Sequence, residues 1–377
     1  MRRALSLFPL VYRSRRRRRS LPRLLTCIVT FTCNARCVMC DSWRKESADD
    51  LDVDEYADIF AQLPPMDAVR LTGGEPFVRR DLPRIARLVQ ERLRPFVLHV
   101  TTNGFLTRRI VQFCEQRDKT TPLQLLISVD GFGERHNEIR GQDTAWRRTT
   151  ETLAALVPRR EALRLRVAVN QTVVDPQGLE HYRRLRDWLA PMGVRNQVVL
   201  AYNASATYST QSEQVVGSQI GRFKPYGDFT PAQLATLLDE VERDTANLPL
   251  PERIAKRYYL RGLRERLLGS EREPLNPPCA ALSTHLRLFP NGDVPTCQFN
   301  TQIAGNLRRQ RFAELWASDA AKAQRSWVNR CAGCWAECEV VPSAIYSGGI
   351  LRGFTARRSP PAARGAPAPG TPGWSTG

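Results

Sequence analysis

From Leu24 to Ala201 the chain alternates short apolar runs with amphipathic ones. Runs rich in Val, Leu and Ile, bounded by Gly, Asn, Asp or Pro, predict strands over Leu24–Thr32, Ala68–Thr72, Phe96–Thr101, Leu123–Val129, Leu163–Thr172 and Gln197–Ala201. Between them, apolar residues at helical spacing predict helices over Val53–Leu63, Asp81–Leu93, Thr107–Arg117, Trp146–Val157 and Leu179–Leu189. Strand and helix in turn, joined by short polar connections, is the pattern of βα units and a parallel sheet. Six such strands make either an open doubly wound sheet or a partial barrel, and both put their ligand site at the carboxyl ends of the strands. Polar and glycine-rich residues collect at those ends: Cys33-Asn-Ala-Arg-Cys37-Val-Met-Cys40, Thr72-Gly-Gly-Glu-Pro76, Thr101-Thr-Asn-Gly104 and Ser128-Val-Asp-Gly131.

Residues 203–230 are polar and read as a loop-rich connection, after which Thr230-Pro231 starts a helix. Helical spacing runs through Ala232–Thr245 and Glu252–Leu268, and Pro274 to Pro278 breaks the chain before a second cysteine-bearing segment, Cys279 to Cys338. These shifts divide the chain into a basic arm (1–23), a βα core (24–201), a linker with helices (202–275), a small cysteine-rich domain (276–345) and a Pro/Gly/Ala-rich tail (346–377) expected to be disordered.

Composition trims the list of functions. No apolar run approaches the roughly 18 residues that cross a bilayer. The net charge of +18 suggests nucleic acid, but nine Arg and no acid lie in residues 1–25 and four Arg and no acid in 352–377, leaving +5 for residues 26–351. Basic tails on a mildly basic body argue against a specific nucleic-acid site. Arg15 to Arg19 before an apolar stretch imitates a signal peptide, yet Pro22, Arg23 and Thr26 break that stretch and no small-residue cleavage site follows. The expected location is cytoplasmic, and ten cysteines in 377 residues are too few for a disulfide-stapled scaffold.

The clustering of the cysteines carries the chemistry. Cys33, Cys37 and Cys40 lie in one loop and can converge on an iron–sulfur cubane, leaving one iron without a protein ligand. Three buried apolar residues or a zinc site are the other readings; Asn34, Ala35 and Arg36 speak for a loop, and zinc usually brings a fourth Cys or His nearby. Cys27 and Cys114 fall at core positions of a strand and a helix. The second group is Cys279-x12-Gly292-x4-Cys297 followed by Cys331-x2-Cys334-x3-Cys338. Pro290-Asn291-Gly292-Asp293 predicts a hairpin turn that brings Cys279 and Cys297 together. Four thiolates from two such pairs close a site for zinc or for a fully ligated cluster, and spacing does not choose between them.

Cys33-x3-Cys37-x2-Cys40 after a first strand, with Thr72-Gly-Gly-Glu-Pro76, Thr101-Thr-Asn-Gly104, Ser128-Val-Asp-Gly131 and His136-Asn-Glu-Ile-Arg-Gly141 following in order, resembles the radical S-adenosylmethionine (SAM) superfamily over residues 24–201. Met39 stands where that family often has an aromatic residue. The resemblance implies an α/β fold, a six-stranded partial (β/α)6 barrel with a small C-terminal cysteine-rich domain. It implies a SAM-binding 4Fe–4S cluster on Cys33, Cys37 and Cys40, and reductive cleavage of SAM to a 5′-deoxyadenosyl radical that takes hydrogen from a substrate. Gly73 and Gly74 would let the backbone approach SAM, and Glu75 would accept from its ammonium. Asn103, Ser128 and Asp130 would hold the methionine or ribose, Asn170 and Gln171 the nucleoside, and Arg140 the carboxylate. Each of these side chains could instead serve its own turn or surface. His136 shares a loop with Arg140 and has no assigned catalytic role.

The second group, with Gly305-Asn306-Leu307, is similar to the C-terminal SPASM or twitch extension of that family. A full extension carries seven cysteines; five here imply one auxiliary 4Fe–4S cluster, on Cys279, Cys297, Cys331 and Cys334, with Cys338 the alternative fourth ligand or a free thiol. The expected function is a radical SAM oxidoreductase or maturase acting on a peptide or small molecule, served by an electron donor such as flavodoxin or ferredoxin. Oxidation by dehydrogenation or crosslinking, or epimerisation if hydrogen is returned, are the outcomes. The rival is a non-catalytic, zinc-binding protein associated with nucleic acid.

Overall fold

The computed structural model describes residues 20–45, 47, 49–202, 207–208, 226–269, 276–331 and 333–351. Most of the expected basic arm, most of the 203–230 connection and most of the expected disordered tail lie outside the described residues. Seven strands form one parallel sheet: β1 (Leu24–Ile28), β2 (Ala68–Thr72), β3 (Val97–Thr102), β4 (Leu123–Ser128), β5 (Leu165–Val173), β6 (Arg195–Leu200) and β7 (His285–Leu288). Their spatial order is β6-β5-β4-β3-β2-β1-β7. The first six follow chain order without the reversal that marks a doubly wound sheet, and β6 and β7 do not pair. The sheet is therefore a barrel left open, a partial barrel.

Helices α1 (Val53–Gln62), α2 (Leu82–Leu88), α3 (Thr107–Gln116), α4 (Glu134–Arg140), α5 (Ala145–Leu156) and α6 (Gly178–Leu189) lie in the connections between successive strands. Asp52 caps α1 by accepting from the amides of Asp54 and Glu55, and the Glu55 carboxylate returns to the Asp52 amide. Alternate strand residues face these helices: Leu25, Cys27, Val69, Leu71, Leu98, Val100, Leu125, Ile127, Leu165 and Val169 share one core with Phe60, Ile85, Phe113, Cys114 and Leu153. Cys27 and Cys114 are thus core residues, as expected. Helix α4 covers residues read as a loop; its sequence, ERHNEIR, has one apolar residue and so no periodicity to announce it.

The C-terminal region departs most from expectation. After α7 (Pro231–Asp244) and α8 (Leu250–Leu268), β7 joins the main sheet parallel to β1, a seventh strand that the six-strand reading lacks. The turn at Pro290–Asp293 forms, closed by the Gly292 amide on the Phe289 carbonyl (3.0 Å) and the Phe289 amide on the Asp293 carbonyl (2.8 Å). Its two strands then part. β8 (Asp293–Pro295) pairs antiparallel with β9 (Ile303–Asn306) instead of running on with β7. Asn306 ties this corner together: its amide donates to the Asn291 carbonyl (3.1 Å) and the Asp293 carboxylate (2.8 Å).

Helices α9 (Phe312–Ala317), α10 (Asp319–Arg330) and α11 (Glu337–Ser347) follow. α11 lies against the inner face of β1 and β7, where Glu339 accepts from Arg287 (2.5 Å) and His285 (3.1 Å). That cover is why all residues of β1 and β7 are buried whereas β2 and β3 alternate between buried and half-buried. Among the described residues no helix is long and apolar enough to cross a membrane.

Trp335, next to Cys334, is seated on α8: its indole donates to the Tyr259 carbonyl (2.7 Å), and a Cβ added at Gly262 would fall 1.7 Å from its ring. Ala is normally the better helix former by about 1 kcal/mol. Here Gly262→Ala is expected to lower stability by about 1–3 kcal/mol, the usual penalty for overpacking, and to shift tryptophan emission; denaturant unfolding followed by fluorescence checks it.

Candidate functional site

The chain beyond β1 runs alongside the chain beyond β2. Val29 donates to the Thr72 carbonyl (2.8 Å), Gly74 to Thr30 (2.8 Å) and Glu75 to Thr32 (2.9 Å). A Cβ at Gly73 would lie 2.2 Å from the Thr30 carbonyl oxygen, and one at Gly74 2.3 Å from that of Thr32. The close approach these glycines permit is therefore first to the chain itself, although both also line the cavity beside the cysteine loop.

α4 forms the back of that loop. Its last carbonyls, Arg140 and Ile139, accept from the amides of Arg36 (2.9 Å) and Val38 (3.0 Å), which satisfies helix-end acceptors that would otherwise be orphaned. Gly141, at φ +61°, ends the helix where any side chain would meet the Arg36 carbonyl at 2.5 Å. The motif from His136 to Gly141 is thus a bracket for the cysteines. His136 is fully buried; its Nδ1 accepts from the Asp130 amide (3.1 Å).

Cys33, Cys37 and Cys40 line a cavity of ≈ 220 Å³ together with Gly73, Gly74, Asn103, Ser128 and Arg140. Each sulfur accepts an N–H: Cys33 from Ala35 (3.4 Å), Cys40 from Ser42 (3.4 Å) and Cys37 from the Arg140 guanidinium (3.6 Å). Burial pushes Cys33 up to about 12 and Cys40 up to about 11, so both are thiols until a metal displaces their protons. None of the three is in a disulfide. Three accepting sulfurs around an open cavity fit a cluster with a free iron.

The remaining candidates divide. Arg140 lines the cavity but is paired through Nε to Asp130 (2.7 Å), which also accepts from the Thr172 amide (2.8 Å); burial works against the guanidinium charge, and Asp130 and Cys37 outweigh it. Asn103 is fixed from both sides, donating to Asn34 (2.7 Å) and accepting from the Phe105 amide (3.0 Å). Glu75 is fully buried and its carboxylate is taken by the amides of Asn103 (2.7 Å) and Phe77 (3.1 Å) and the Thr102 hydroxyl (2.8 Å). Burial still raises it to about 7. Asn170 pairs with Ser128 across β4 and β5, half-buried on the inner face. Gln171 points the opposite way, bonded to Gly178 and Asn196, because β5 continues through Val173 and neighbours on a strand alternate faces. Thr172 and Tyr208 line the cavity too, with no sequence signal to mark them.

At the second cysteine group, Cys279, Cys297 and Cys334 lie near enough for their charges to interact, and Cys331 interacts with Cys279. Their sulfurs again accept amides, Cys297 from Asn300 (3.3 Å) and Cys331 from Gly333 (3.3 Å). Cys338 behaves differently: its thiol donates to the Gln298 side-chain carbonyl (3.0 Å), and its charged neighbours are Glu339, Arg287, Arg70 and Glu337. Among the described residues no group of three His, Cys, Asp or Glu side chains closes tightly enough to hold one metal ion.

Residues 27–189 match the Radical SAM superfamily and residues 279–335 the SPASM iron–sulfur cluster-binding domain. The chain is 25% identical over 312 residues to the AdoMet-dependent heme synthase of Methanosarcina barkeri (strain Fusaro / DSM 804), spanning 78% of this chain and 82% of that protein. Its fold is similar to that of Streptococcus suis SuiB bound to precursor peptide SuiA (TM-score 0.57, 17% identity, 84% of this chain and 70% of that one). It is also similar to anSMEcpe with bound AdoMet and Cp18Cys peptide (TM-score 0.54, 15% identity, 88% and 96%). One match carries Cys33, Cys37 and Cys40 and the other Cys279, Cys297, Cys331 and Cys334: the chain contains a radical SAM domain over residues 27–189 and a SPASM domain over residues 279–335.

Proposed function

We propose that this chain is a radical SAM oxidoreductase or maturase whose substrate sits in the barrel lumen between two iron–sulfur sites, with residues 24–201 as its catalytic core and residues 276–345 as its auxiliary domain. The observation that carries this reading is the pair of cysteine sets whose sulfurs accept N–H bonds, one beside the open cavity and one beside α11. Cys33, Cys37 and Cys40 hold the SAM-binding cluster; Cys279, Cys297, Cys331 and Cys334 hold the auxiliary one. When bound, these groups supply reductive cleavage of SAM with hydrogen-atom abstraction at the first site and one-electron transfer at the second.

The chain's own residues position and insulate. Gly73, Gly74, Asn103 and Ser128 line the cavity and would hold SAM there, with Asn170 beside Ser128 on the inner face. Arg140 donates to the Cys37 sulfur and, held by Asp130 at the cavity wall, would pair with the carboxylate of bound SAM. Glu75, engaged with Asn103 and Thr102, fixes the cavity wall. A neighbour's precursor peptide supports a peptide substrate; the relative matched over most of its length, a heme synthase, supports a small-molecule reading.

Anaerobic reconstitution is expected to give about eight irons per chain, for two four-iron clusters, and 5′-deoxyadenosine on reduction with SAM. Cys33→Ala, Cys37→Ala or Cys40→Ala should each abolish deoxyadenosine; turnover in any of them sinks the assignment. Cys297→Ala and Cys334→Ser should each lose about half of the iron while still releasing deoxyadenosine. In contrast, Cys338→Ser should retain the full iron content, and loss of iron there would make Cys338 a ligand.

A further inference from the structure

The lumen carries a band of side chains that neither cysteine set uses. Register aligns Arg70 with His99, His99 with Gln124, and Gln124 with Arg166, on four neighbouring strands. All four lie on the face opposite the apolar core, since their neighbours Leu71, Leu98, Leu125 and Leu165 belong to that core. Arg70 and Arg166 both act on the His99 imidazole; burial first, then these two charges, bring it down to about 3. His99 is therefore neutral, and the band's charge is that of two guanidiniums.

Among the described residues no carboxylate answers them. None of the seven strands contains an Asp or Glu. The carboxylates nearest the lumen are spoken for, Glu339 by Arg287 and His285, Asp130 by Arg140, Asp67 by Arg23 and the Tyr346 hydroxyl, and Glu337 by Lys256. Among the described residues neither Arg70 nor Arg166 makes an ion pair: Arg70 donates to the Cys338 carbonyl (3.1 Å), and Arg166 is exposed. Arg70 and Arg166 stand at the two ends of the band, three strand spacings or about 14 Å apart between backbones, and the charges of both reach His99 at its middle. An anion over His99 and Gln124 lies in the field of both guanidiniums and takes charge-assisted hydrogen bonds. His99 and Gln124, between them in register, add neutral donors.

We infer that the band of Arg70, His99, Gln124 and Arg166 binds an anionic group of the substrate, a carboxylate or a phosphate. The band lies four residues toward the amino ends of the strands from Gly74, Asn103, Ser128 and Asn170, about 13 Å at about 3.3 Å per residue. The substrate is accordingly elongated, with its anionic group anchored at one end of the lumen and its reacting carbon at the other. This inference rests on the reading of the lumen as the substrate chamber.

The test is equilibrium dialysis of the cluster-loaded full chain against radiolabelled suberate, a straight-chain dicarboxylate, and separately against inorganic phosphate, each up to millimolar concentration. One of the two is expected to bind saturably at one per chain, and which one does so distinguishes carboxylate from phosphate. Arg166→Gln should weaken that binding about tenfold, Arg166→Glu abolish it and Arg166→Lys largely keep it. Arg166 is exposed, so these variants should fold, which unchanged iron content and melting temperature would verify; Arg70→Gln gives a second, independent loss. Failure of both probes to bind the unaltered chain, or equal affinity in Arg166→Gln, overturns the inference. Deoxyadenosine release by the unaltered chain, measured in parallel, reports on the radical reading alone, so the two can fail separately.

Discussion

The site depends on one close contact between backbones. Only glycine at positions 73 and 74 lets the chain after β2 lie against Thr30 and Thr32 after β1. That contact aims the chain into the cysteine loop and carries Glu75 under the end of β3, where its carboxylate collects Asn103, Thr102 and Phe77. Cysteine loop and cavity wall are thus set by the same two residues. From the other side α4 completes the frame, giving its terminal carbonyls to the loop and Arg140 to a cysteine sulfur.

Buried charge organises the rest of the lumen. Glu339 is fully buried, and burial alone would raise its pKa; His285 and Arg287 outweigh that and keep it ionised. As the carboxylate only accepts, His285 donates from Nδ1 and accepts at Nε2 from the Thr26 hydroxyl (2.9 Å). Such a network is poor value as net stabilisation, because desolvation consumes most of the attraction. Its consequence is placement: Glu339 on His285 and Arg287 seats α11 over β1 and β7, and the Cys338 carbonyl then meets Arg70 in the lumen. Where no acid is supplied, at Arg70 and Arg166, the lumen is left basic.

How much could be read in advance follows from whether a signal is local. The six βα strands were legible because each buries one face in a shared apolar core, so periodicity repeats what packing requires. The cysteine loops were legible because thiolates at close spacing are local chemistry. β7 was not, since HLRL is buried on both faces by partners far along the chain and carries no alternation of its own. α4 was not, since three of its four buried residues are polar: His136 accepts from the Asp130 amide, Asn137 from the Trp146 amide, and Arg140 donates to the Cys37 sulfur, with Ile139 the one apolar member.

The sequence by itself therefore determined the class of fold, the two cysteine sets and the chemistry they imply, because each of these is written in short-range spacing. Only the tertiary structure decided what those residues face. Glu75, read as a ligand acceptor, is engaged by strand ends, and Cys338 donates to Gln298 while four other cysteines gather. Arginines 96 positions apart, Arg70 and Arg166, fall into one band. The physical reason is the same in each case: a carboxylate, a thiol or a guanidinium takes its role from the partners that strand register and helix docking bring to it, and those partners are distant in the chain.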